Sequence, residues 1–178
     1  MSGLLVGAVF GAVFVIVNAQ GPLNPVAVGL LRAAACLAAA GVFVMWLISA
    51  RKGRSAEGAG RSMFGRGYVI VVAAEAILLF GGIQVLTAWE RPVESNVAWV
   101  ALVVGAHFIA LGPIWKEWGI AVPGVVLTLL GVAGLVLAST TAVGWVPLVS
   151  GVLSGVVLLT GSVAFGWRGL ADLQRRNA

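Results

Sequence analysis

The chain has 178 residues, of which 61% are hydrophobic and only 10% are charged, and its mean hydropathy is +1.08. A soluble domain is about 25% charged, and a domain this small has too much surface to hide such a deficit, so an ordinary water-soluble globule is excluded and lipid is the expected solvent. The net charge of +5 does not point to nucleic acid, because eight of the eleven basic residues (Arg51, Lys52, Arg54, Arg61, Arg66, Arg168, Arg175 and Arg176) cluster beside apolar stretches.

A bilayer span needs about 20 mostly apolar residues. Six stretches qualify in chain order, at roughly 3–19, 25–48, 67–89, 96–115, 119–139 and 143–167. They predict an all-α integral membrane protein, with residues 1–178 forming one six-helix transmembrane domain. The first span is short and has no basic residue before it. It is expected to be a retained span, although Val17-Asn18-Ala19 resembles a signal cleavage site. Pro22, Pro25 and Pro92 fall in loops or at a helix start. Pro123 and Pro147 fall in the first turns of spans five and six, where a missing N–H costs nothing. Pro113, near the end of span four, either frees the Ile109 carbonyl or terminates the helix. All seven tryptophans map to span ends, as a headgroup-level aromatic belt requires.

The 2–3 loop, Ser49 to Arg66, and the C-terminal tail are rich in Arg and Lys, whereas the 1–2 and 5–6 loops carry no charge. By the positive-inside rule this predicts an inner-membrane protein with both termini in the cytoplasm. The 2–3 loop is also rich in Gly and Ser, so it is expected to be flexible; it reads first as a topogenic loop with no further role, the alternative being a segment that rests on anionic headgroups.

Internal similarity is weak. Gly11-Ala12-Val13-Phe14 resembles Gly105-Ala106-His107-Phe108, and Ile77 to Gly81 resembles Val157 to Gly161. Ala, Gly, Val and Leu match readily by chance, but a true duplication would make two inverted three-helix halves, as in many transporters. Glycines at four-residue spacing, Gly3/Gly7/Gly11 and Gly151/Gly155, mark faces for close helix packing within the bundle or for a homodimer. Cys36 is the only cysteine, which excludes an internal disulfide and a thiolate cluster. A small buried apolar residue is expected there.

Three ionisable residues, Arg32, Glu75 and His107, lie inside spans. Such groups are costly in lipid and usually face inward. At 1.5 Å per residue, Glu75 and His107 both lie roughly 12 Å from the cytoplasmic ends of spans three and four. Those spans form an antiparallel hairpin, so the two can face each other and share a proton near neutral pH. Arg32 lies roughly 10 Å deep from the other side, among Val28, Gly29, Ala35 and Cys36. It must snorkel outward, pair, or hold or gate an anion. Asn18, Gln20 and Gln84 are further polar groups toward the outer side. Gln84 stands on the face of span three opposite Glu75, where it is expected to bond to another helix.

HExxH, Asp-rich, GxSxG and Walker A motifs are all absent, and a single histidine supports metal or haem ligation poorly. No enzyme, metal or cofactor is therefore expected. The expected function is transport or channelling of a small solute or ion, with Glu75 and His107 as a protonatable pair and Arg32 as an anion-binding or gating charge. The alternative is a non-catalytic scaffold or accessory subunit whose buried polar residues only fix helix packing.

Overall fold

The computed structural model describes residues 2–53 and 66–176. Their regular structure is entirely helical. The order is α1 (Ser2–Asn18), α2 (Pro25–Gly53), α3 (Arg66–Ala88), α4 (Ser95–Trp115), α5 (Ala121–Leu137) and α6 (Leu153–Arg176). A 3-10 turn at Trp118–Ile120 leads into α5, and a wide π-type turn at Pro147–Val152 leads into α6. Five of these helical segments are long and apolar enough to cross a membrane. The shorter α1 has 17 residues, about 26 Å of helix.

Local sequence sets the ends. Asn24 Oδ1 accepts the Ala27 N–H at 2.8 Å, so Asn24 caps α2 while Pro25 fills its first position. The helix then runs through Gly53, beyond the expected loop boundary at Ser49. Most of that basic loop, residues 54–65, lies outside the described residues. In α4, Pro113 is tolerated two residues before the end, and Lys116 stops the helix in a left-handed conformation at φ 56°. Glu90 closes α3 in the same way at φ 51°, with the Arg91 N–H reaching back to the Leu86 carbonyl.

Glycine decides which helices touch. A Cβ on Gly11 would stand 2.9 Å from the Gly155 carbonyl, and one on Gly155 would stand 2.6 Å from the Gly11 carbonyl. Antiparallel α1 and α6 therefore meet backbone to backbone. Gly7 against Ser162 and Gly151 against Asn18 extend that seam. The two glycine faces thus meet each other within one chain, as close packing within the bundle requires, and of those glycines Gly3 alone has open space around it. A second close seam joins α4 and α5. There a Cβ on Gly105 would stand 2.7 Å from the Gly124 carbonyl, and one on Gly131 would stand 2.5 Å from the Leu102 nitrogen.

The wide turn before α6 joins the two seams. Leu153 N–H bonds the carbonyl of Leu148, five residues back, and Ser150 Oγ donates to the Leu130 carbonyl of α5 at 2.8 Å. The turn contacts α1, α4 and α5, and it buries Pro147, Ser150, Gly151 and Val152. The short α1 lies against this centre, with Ala8, Ala12 and Val15 buried.

Two helices are peripheral. α2 packs on α1 and α6, and its Cys36 is exposed rather than buried as expected. α3 packs on α4, and no residue of α3 is buried. Its outer face carries Val69, Ile70, Ile77 and Phe80, each more than half exposed. Apolar surface of this extent is what lipid-facing helices present.

Candidate functional site

The helix α3 meets α4 along a narrow seam. Tyr68, Val72, Glu75, Leu79, Gly82 and Leu86 are half-buried, at alternating spacings of four and three. That is the heptad repeat of two helices in side-by-side contact. Three rungs cross the seam. Tyr68 stacks on Trp115 at 6.0 Å and 16°. Gly82 lies against the Trp99 indole. Between them, His107 Nδ1 stands 3.0 Å from Glu75 Oε2. The rungs advance by seven residues on α3 and by eight on α4.

Gly82 explains the Trp99 rung. Without a Cβ the indole reaches the α3 backbone, and Nε1 donates to the Leu78 carbonyl at 2.9 Å. Trp99 is therefore an interhelical residue as well as a span-end tryptophan. Nothing in the sequence marks it except its register with Gly82.

The pair sits well inside both helices. Glu75 is nine residues from the start of α3, and His107 is eight residues from the end of α4. That is about 12–14 Å along each axis. The aromatic rungs close the seam at both ends, while the side of the pair remains partly open, with side chains 13% and 22% exposed for His107 and Glu75. The separation is that of an ion pair, but Nδ1 meets no acceptor at hydrogen-bonding angles.

The pair is the polar rung of an otherwise apolar and aromatic seam, a carboxyl oxygen facing an imidazole nitrogen.

Arg32 belongs to a different place. Its Nη2 donates to the Ala19 carbonyl at 2.9 Å, just past the C-terminus of α1. Ala19 is fully buried, so this cation satisfies a carbonyl with no water and faces the negative end of the helix dipole. It snorkels from α2 toward the end of α1. Arg32→Met is expected to lower stability by about 2 kcal/mol, the worth of a hydrogen bond to a charged group; thermal unfolding in detergent measures it.

The other polar candidates do not converge on the pair. Asn18 Nδ2 donates to the Phe14 carbonyl at 2.8 Å. Gln20 and Gln84 are exposed. Among the described residues there is no cluster of three His, Cys, Asp or Glu side chains able to hold a metal.

No protein-family model, curated protein or solved structure matches this chain. Fold and site together define an all-helical bundle, with five helices long and apolar enough to cross a membrane. One carboxylate–imidazole pair lies within its apolar length.

Proposed function

We propose that this chain is an inner-membrane protein, with both termini in the cytoplasm, that moves a small solute or ion using Glu75 and His107 as a protonatable pair. The observation that carries this reading is the 3.0 Å contact between the two side chains on α3, a helix with no buried residue. A helix that rests on α4 through a titratable rung can shift when the rung gains or loses a proton. The basic residues near the end of α2, the start of α3 and the end of α6 support the orientation.

The contacts bear on the inverted repeat as well. A duplication would relate α1 to α4, α2 to α5 and α3 to α6. Packing of α1 on α2 corresponds to α4 on α5, and α1 on α6 corresponds to α4 on α3. The correspondence stops there, because α2 also packs on α6 whereas the packing partner of α3 is α4.

The test is flux into liposomes under an imposed pH gradient. Wild type is expected to accumulate at least one solute class in a gradient-dependent way. Glu75→Gln is expected to abolish the gradient dependence, and His107→Ala to reduce it. Leak-level flux of every solute class by the wild type sinks the transport reading.

A scaffold or accessory role is the second reading. Arg32 spent on a backbone carbonyl favours it, as does the exposed face of α3, which a partner subunit would cover. Under that reading the pair's substitutions alter stability and partner binding without altering flux.

A further inference from the structure

A groove of about 440 Å3 runs between the C-terminal parts of α3 and α5, within the roughly 300–1,000 Å3 range of small-molecule sites. It exists because both helices pack on α4 and leave a cleft beside it. Its walls are apolar, with Leu86 on the α3 side and Val132, Leu135 and Val136 on the α5 side. From Val132 to the mouth at Ser139 the α5 wall is about 10 Å long.

The mouth has a different chemistry. The left-handed Glu90 turns the chain back at the end of α3, and Arg91 then reaches across so that its Nη2 donates to Ser139 Oγ on the opposite wall. Ser139 Oγ itself donates to the Leu135 carbonyl at 3.1 Å, which leaves its lone pairs for the guanidinium. Among the described residues no carboxylate lies within ion-pair distance of Arg91. A guanidinium has five N–H donors, so most of its capacity faces outward. Glu90 and Glu94 flank Arg91 in sequence, and Trp89 stands exposed at the same level.

We propose that this groove binds a zwitterionic phospholipid. The phosphate takes the Arg91 guanidinium, the headgroup ammonium lies toward Glu90 and Glu94, and the upper part of one acyl chain lies in the groove. The charge order carries the assignment. A lone cation would suit any anion, whereas a cation with two carboxylates within three residues of it along the chain suits a phosphate that carries its own ammonium. The indole of Trp89 suits headgroup depth. The proposal rests on the membrane part of the proposed function and does not depend on transport.

Native mass spectrometry of the full chain, purified from membranes and reconstituted in nanodiscs, tests it. The nanodiscs contain phosphatidylethanolamine, phosphatidylglycerol or both. Wild type is expected to retain one phosphatidylethanolamine in preference to phosphatidylglycerol. Arg91→Ala is expected to weaken retention about tenfold, as loss of a charge-assisted contact implies. Leu135→Trp, which fills the groove and spares the mouth, is expected to weaken it as well. A photoreactive ethanolamine lipid is expected to label wild type at groove residues, so the idea stays testable if a variant misfolds. Equal retention by wild type and Arg91→Ala overturns the proposal, as does preference for phosphatidylglycerol or a dimer that Leu135→Trp disrupts. Recovery of the chain from the aqueous fraction without detergent would overturn the membrane reading instead, so the two failures are distinct.

Discussion

Replacing His107 with leucine is expected to cost about 3 kcal/mol of stability, and replacing Glu75 with leucine in the same chain is expected to recover most of that loss. Removing one partner of a buried ion pair costs about 3–5 kcal/mol, whereas replacing both with apolar groups is often neutral or stabilising. The lower end applies because the two side chains are only partly buried, 13% and 22% exposed. Thermal or denaturant unfolding in a fixed detergent, arranged as a double-mutant cycle, gives the coupling directly. Losses that simply add would mean that the two groups do not interact, and the proton-sharing role would lose its basis.

Gly105→Val is expected to be at least as damaging, by about 3 kcal/mol or more. Overfilling a packed interface costs about 1–3 kcal/mol when neighbours can shift, and occasionally more. Here the nearest atoms include the Thr128 nitrogen and the Gly124 carbonyl, which are backbone and cannot give without moving α5. Gly131→Val meets the Leu102 nitrogen and Cα in the same way. The controls are Gly29→Val and Gly81→Val, where nothing lies within 4 Å of the new Cβ. These should stay close to wild type in the same unfolding assay. Equal losses at all four positions would show that helix propensity, rather than the α4–α5 contact, sets the cost.

The helices were legible in the sequence because their lengths, prolines and flanking charges follow from the thickness and polarity of a bilayer. Glu75 and His107 were legible as partners because depth along an antiparallel hairpin can be counted. The rest was hidden for one physical reason. Where lipid bathes the outside, leucine and valine suit either face of a helix, so apolar periodicity no longer marks the inward side. Phe80 is thus exposed on α3 while Leu127 is fully buried on α5, and nothing in hydropathy separates them. Small residues carry that information instead, but spacing alone does not say which glycine meets which. The spacing marks Gly11 and Gly155 for close packing, within the bundle or between copies, without pairing one with the other. Cys36 read as buried for the same reason. Arg32 could not be assigned because its acceptor, the Ala19 carbonyl, is a backbone group that no side-chain pattern reveals.

The arrangement of α3 has a consequence for how the chain is assembled. Under the proposed membrane reading, synthesis delivers α3 before α4, its packing partner, so α3 enters lipid ahead of that partner with a carboxyl midway along it. An acidic residue there costs roughly 2.5–3.5 kcal/mol on insertion scales, which the many Val, Ile and Leu side chains around it offset at about 0.3–0.6 kcal/mol each. The carboxyl has no partner until the next segment brings an imidazole to the same depth. Glu75 thereby rewards arrival of α4 in one register, and the polar residue that burdens its own helix becomes the recruiter of the next.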